Sequence, residues 1–371
     1  MSIKYHSVDP ESIKPYRAND VADFIINTDR NIVNGSVRLT GVLSITKGGN
    51  KVSGAEDQGD CVYYNPNTGI HGAFSSISVS NGSTLEFLDN YPRFVNMVEK
   101  SSKDINDYFS TADIVELKVP NENHALSISA GVTYLIPNGA QSGNKELVDF
   151  SMKPLICLNR MMNTNSLNLG AMNNRIKVSF TMATDNNFLI GGDMANDCTY
   201  ELTELKLTYR TVEPSPTPNV LCRSYASTKL QLDNGNESVS TRKPVVASGV
   251  SVSFLEVFKE NNNTLNSYCL DRPPNVKRVQ FSFNNNTSEF ISYEMTSQIE
   301  MRERYLESMK SGGVNQVNPQ KARGSDGYGL GASFDSFVDL TQNKITFDLE
   351  SNIQNNNKYN VFLYFHSQLE L

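Results

Sequence analysis

The stretch RIKVSFTMA, Arg175 to Ala183, sends Ile176, Val178, Phe180 and Met182 to one side of an extended chain and mostly polar residues to the other. Successive side chains of a strand point to opposite faces, so a period of two marks a half-buried β-strand and excludes a helix. The same period returns along the chain. SVRLTGVLSI (Ser36 to Ile45) puts Val37, Leu39 and Gly41 on one side, ELTELKLTYR aligns Leu205, Leu207 and Tyr209, and YNVFLYFHSQL aligns Val361, Leu363 and Phe365. Turn-forming clusters such as KGGN at Lys47 and NGS at Asn81 punctuate these runs. A chain patterned in this way must bury its core between sheets.

Two segments read as helix. YPRFVNMVEKSSKDINDYF begins with Pro92 early in the helix and spaces Phe94, Val98, Ile105 and Phe109 along one face. SQIEMRERYLESMK opens with Ser297 and Glu300 at capping-box spacing, turns Ile299, Leu306 and Met309 inward, and pairs Glu300 with Arg304. Between them lies VEPSPTPNV, in which Pro214, Pro216 and Pro218 alternate. Proline fixes φ and lacks a donor, so this run can neither continue a helix nor enter a sheet, and it reads as a stiff linker between two folded units. A chain of 371 residues suits two domains.

The helices fall at similar places, roughly 70 residues into the first half and roughly 75 past the strap, which suggests two copies of one plan. Each half also closes on two strands read as a pair, RIKVSFTMA with ELTELKLTYR and NKITFDLES with YNVFLYFHSQL. Antiparallel strands with long loops, helices set into those loops, and no βαβ rhythm define the expected class. It is all-β, two tandem eight-stranded antiparallel jelly rolls with short helices in the loops. The expected boundaries are an amino-terminal arm at 1–19, a first jelly roll at 20–211, the proline-rich linker at 212–220 and a second jelly roll at 221–371.

Chemistry-bearing motifs are sparse. The four histidines, His6, His71, His124 and His366, sit in no metalloprotease or nucleophile-elbow context and are read as structural. Glu56, Asp57 and Asp60 in GAEDQGDC, like Asp193 and Asp197 in GGDMANDC, lack the length and glycine placement of a calcium loop and read as solvated turns. GSDGYGLGAS (Gly324 to Ser333) lacks the strand before and helix after that a phosphate loop needs, and reads as a flexible loop. Cys61, Cys157, Cys198, Cys222 and Cys269 are odd in number and scattered, as expected of reduced, buried thiols. No catalytic residue, metal site or cofactor is expected.

A net charge of −7 opposes direct nucleic-acid binding. The amino-terminal residues lack the apolar core of a signal peptide, and no run is long enough to span a membrane, so synthesis as a soluble chain is expected. The asparagine-rich stretches at Asn261, Asn284 and Asn355 read as loops, and the sequons at Asn262 and Asn286 as loop chemistry rather than glycan sites.

Several stretches together resemble the double jelly-roll major capsid proteins of the PRD1, adenovirus and virophage lineage of tailless icosahedral viruses. They are GAFSSISVSNGSTLEFLDNYPRF (Gly72 to Phe94), VDFSMKPLICLNRMMN (Val148 to Asn163), RIKVSFTMATDNNFLI followed by YELTELKLTYRTV, and GVSVSFLEVFKENNNTLNSYCLDRPPNVKRVQFSFNNN after the strap. The resemblance lies in architecture and order over roughly residues 20–371. It implies a non-enzymatic virion protein: a homotrimer whose six jelly rolls form a pseudo-hexagonal capsomer tiling an icosahedral shell. It also implies neighbouring capsomers, penton and minor capsid proteins as partners, and an amino-terminal segment reaching toward neighbours or an internal membrane. The alternative from another class is a two-domain β-sandwich receptor- or carbohydrate-binding protein, although the absence of Trp weakens a sugar-stacking site. A β-sandwich hydrolase would need paired carboxylates or a nucleophile with its base, and no spacing here favours one.

Overall fold

The computed structural model describes residues 2–47, 50–51, 62–64, 68–102, 115–118, 148–173, 175–191, 198–216, 219–233, 236–257, 276–284, 290–314, 329–351 and 358–371. The chain divides into two compact units, one of residues 1–95, 105–222 and 369–371, the other of residues 96–104 and 223–368. Antiparallel strands dominate both.

In chain order the strands of the first unit are β1 (Lys4–Val8), β2 (Val21–Asn27), β3 (Asn31–Val33), β4 (Arg38–Lys47), β5 (Asn50–Lys51), β6 (Val62–Tyr64), β7 (Phe74–Asn81), β8 (Ser83–Leu88), β9 (Val148–Met152), β10 (Ser166–Asn168), β11 (Arg175–Met182), β12 (Leu189–Gly191) and β13 (Cys198–Val212). One sheet carries β1-β13-β4-β9 in pairing order, extended by β3, β10 and β5; a second runs β2-β11-β7-β8. Ile176, Val178, Phe180 and Met182 of β11 are all buried, as are Leu205, Leu207 and Tyr209 of β13. The β7–β8 hairpin turns on Gly82 at φ +73°, a conformation that glycine adopts without strain. Helix α1 (Tyr91–Ser102) follows β8 and buries Tyr91, Phe94, Val95 and Met97, and a single turn, α2 (Asp185–Phe188), follows β11. Val98 is half-buried, while Ile105 and Phe109, expected on the same face, lie outside the described residues.

The strands of the second half are β14 (Leu221–Leu232), β15 (Asn236–Thr241), β16 (Val246–Glu256), β17 (Arg278–Asn284), β18 (Phe290–Met295), β19 (Leu330–Asp339), β20 (Lys344–Glu350) and β21 (Tyr359–Glu370). They form two four-stranded sheets, β14-β21-β16-β19 and β15-β20-β17-β18. Phe254, Phe281, Phe283, Phe334 and Phe347 fill the space between them with Val250, Val252, Leu349 and Leu363. Helix α3 (Gln298–Ser311) packs on β16 and β19. The pairing order within each sheet is that of a jelly roll.

Several sequence expectations change. The terminal strands of each half do not pair with one another: β11 and β13 lie in different sheets, as do β20 and β21. Each has one core-facing side, and a jelly roll places such strands across the core rather than side by side. Helix α3 buries Met301, Tyr305, Ser308 and Met309, whereas Ile299 is 76% exposed, because a helical repeat sets residue 299 nearly opposite residue 301. Arg304 meets Glu307 at 3.3 Å, while Glu300 turns back to accept the Thr296 N–H.

The glycine-rich stretch is, from Leu330 onward, the start of β19 rather than a flexible loop. A Cβ on Gly331 would strike Ser308 Oγ of α3 and stand 2.6 Å from the Val250 carbonyl; one on Gly329 would stand 3.1 Å from the Tyr305 ring. These glycines let the helix approach the sheet. Finally, the segment expected as an amino-terminal arm contributes a strand to the first unit. Its residues 4–8 are β1, paired with β13 from Lys4–Thr211 to Val8–Leu207.

Candidate functional site

The three described histidines lie in three separate places. His71 sits in a 3-10 turn, Gly69–Ala73, that depends on Gly69 at φ +53°, where any side chain would collide with the Glu116 carbonyl. The turn is held by the Ile70 N–H on that carbonyl at 3.0 Å. His71 Nδ1 meets the Tyr91 hydroxyl at 2.7 Å and Nε2 donates to Glu116 Oε2 at 3.2 Å. The same carboxylate accepts from Lys118 Nζ at 2.8 Å and from the Lys153 N–H at 2.8 Å, with the Arg38 guanidinium at 3.7 Å. Burial alone would raise the Glu116 pKa, but the His71 and Lys118 cations and their hydrogen bonds hold it well below the ordinary carboxylate value of 4.5. A relay-like row of Tyr, His and Glu could move protons, yet His71 is 1% exposed and the row is closed to solvent there. The cluster is built to pin residues 115–118 to the sheet.

His366, on the outer face of β21, bonds Ser251 Oγ on β16 at 2.6 Å, and Ser251 meets Ser308 of α3 at 3.1 Å. Ser251 is fully buried, so this Ser–His pair has no access for an acyl substrate either. It ties the helix to the sheet, and β21 is buried on both faces, Phe362, Tyr364 and His366 lying on the side opposite Val361, Leu363 and Phe365. His6 is half-buried on β1, stacked on Tyr209. His124, Glu56, Asp57, Asp60, Asp193, Asp197, Cys61 and Cys269 lie outside the described residues.

Among the described residues, no group of three or more His, Cys, Asp or Glu side chains could hold a metal ion. No helix among them is long and apolar enough to cross a membrane. Cys157 and Cys222 are free and buried; burial, then the nearby Glu86 carboxylate, raises both thiols, Cys222 to about 12. The strap is anchored to the first unit. Asn31 Nδ2 donates to the Ser215 carbonyl at 2.9 Å, between Pro214 and Pro216, while Pro218 falls outside the described residues. Just beyond, Val220 and the terminal Leu371 exchange backbone hydrogen bonds. Sequence reasoning missed the Glu116 cluster, whose members span positions 38 to 153; the HGA turn after Gly69 was its one local signal.

The arrangement of strands decides what the molecule is like. The Faustovirus major capsid protein superposes on it with a TM-score of 0.62 at 11% identity, covering 100% of this chain and 90% of that one. This is the double jelly-roll fold of viral major capsid proteins. The PBCV-1 virus capsid follows with a TM-score of 0.55, 9% identity and coverage of 100% and 94%, and the mavirus major capsid protein with 0.53, 10% and coverage of 98% and 86%. Neither a family model nor a curated protein matches the sequence. At such identities backbone topology is retained while side chains are not, so the likeness extends to the fold.

Proposed function

We propose that this chain is the major capsid protein of an icosahedral virus, trimerising into pseudo-hexagonal capsomers that tile the virion shell. The observation that carries the reading is the likeness in fold to capsid proteins along essentially the whole of both chains. Two jelly rolls of different sequence in one polypeptide let a trimer present six lateral faces to a hexagonal lattice, and closed three-fold symmetry stops open polymerisation. The strap at Pro214, Pro216 and Pro218 joins the two rolls and keeps them at high effective concentration. The role is structural rather than catalytic, in keeping with His71 and Ser251 being sealed from solvent. Neighbouring capsomers, penton and minor capsid proteins, and an internal membrane where the virion has one, are the partners that follow.

The test is the solution mass of the purified protein by light scattering, followed by negative-stain imaging. A species of about 124 kDa, three times the 41.2 kDa chain, with a hexagonal outline supports the proposal. A monomer that crosslinkers leave unchanged overturns it.

A further inference from the structure

The amino-terminal face of the first unit is rich in ion pairs. Lys14 pairs with Asp20 at 2.6 Å, Arg17 with Glu201 at 3.0 Å, and Lys177 with Asp23 at 2.8 Å and Glu11 at 3.5 Å. One cluster breaks this habit. Lys4 and His6 share a side of the edge strand β1, and Arg30, between β2 and β3, reaches the same place. Among the described residues no carboxylate pairs with Lys4, His6 or Arg30. The charges acting on His6 are both positive: burial first, then Arg30, then Lys4, press its pKa below 6.5.

The groups are held rather than loose. The Thr211 hydroxyl, on a fully buried residue of β13, accepts the Arg30 Nε–H at 3.1 Å and bonds His6 Nε2 at 2.8 Å. Arg30 Nη2 donates to the Ser2 carbonyl at 2.8 Å, and Tyr209 stacks under the His6 ring with centroids 4.9 Å apart and planes 9° from parallel. Arg30 thus uses two of its five N–H groups and keeps the others for a ligand. Two permanent cations and a third that can be charged, oriented by a shared hydroxyl in a chain of net charge −7, repel one another unless an anion joins them.

We infer that Lys4, His6 and Arg30 form a binding site for a phosphoryl group, whose double negative charge and several acceptor oxygens match this set of donors. The site is independent of the capsid reading. The phosphoryl group could belong to free phosphate or to a lipid headgroup. Tyr5 on the same strand and Ile3 just before it, 80% and 53% exposed, alternate with the cations and suit an interfacial lipid surface.

The experiment titrates the full chain with inorganic phosphate while following the His6 ring by NMR of isotope-labelled histidine. In parallel, flotation is measured with phosphatidylcholine vesicles with and without phosphatidic acid. Phosphate is expected to raise the His6 pKa, and Lys4→Gln with Arg30→Gln to weaken that effect about tenfold or more. Flotation that needs phosphatidic acid and is lost in the double variant assigns the lipid headgroup; a phosphate response without flotation assigns the free anion. No response to either probe, or an equal response in the double variant, overturns the inference. Lys4→Gln alone, at an exposed residue, keeps the test open should Arg30→Gln unfold.

Discussion

The two units follow one strand path and lock it in different ways. Strands β1, β13, β4 and β9 of the first correspond to β14, β21, β16 and β19 of the second, and β2, β11, β7 and β8 to β15, β20, β17 and β18. Even the helices correspond, α1 following β8 and α3 following β18. Yet His71 is fixed by a buried carboxylate among cations, while His366 is fixed by a serine hydroxyl beneath a helix. Topology is therefore set by which faces are apolar, and each unit finds its own means of sealing the polar groups that the path leaves inside.

The sharpest way to break the comparison is Glu116→Ala, which strands Lys118 and His71 without their anion. It is expected to cost about 3–5 kcal/mol and to raise hydrogen exchange in the first unit while leaving the second protected. The same carboxylate makes the units differ in acid. Because its folded pKa lies below the ordinary 4.5, its contribution is complete above that pH and is lost as pH falls through and below it. Melting followed from pH 7 to pH 3 should fall more steeply in the wild type than in Glu116→Gln.

On the other side, Gly331→Ala forces a methyl against Ser308 and the Val250 carbonyl. It is expected to cost about 1–3 kcal/mol, with exchange rising in β16, β19 and α3. Ser297→Ala removes the side-chain cap that accepts the Glu300 N–H at 3.1 Å, for about 1 kcal/mol in the same unit. The smallest effect is a null: Cys157 and Cys222 should resist iodoacetamide at pH 8 in the native protein and react once it is unfolded, as the mass of modified peptides will report.

Much of this was legible in the residues, and the misses share a cause. Ile176, Val178, Phe180 and Met182 announced a strand because alternation is a property of neighbours in sequence. The Ser297 cap announced the start of α3 for the same reason. Residues 4–8 did not announce β1, since KYHSV is polar and its strand geometry comes from pairing with residues two hundred positions away. Ile299 misled because apolar character was read without the phase that the packed face of α3 imposes.

By itself, then, the order of residues determined the all-β class, the repetition of the plan on either side of the prolines, and the places where helices interrupt strands. These rest on local periodicity and on backbone limits that proline and glycine impose. Tertiary structure alone decided which strands share a sheet, that Gly329 and Gly331 serve a helix rather than a loop, and that Arg38, His71, Glu116 and Lys118 meet. Burial gives such distant groups their strength: away from water, charges and hydroxyls many positions apart must find one another, and nothing in their spacing along the chain records that they do.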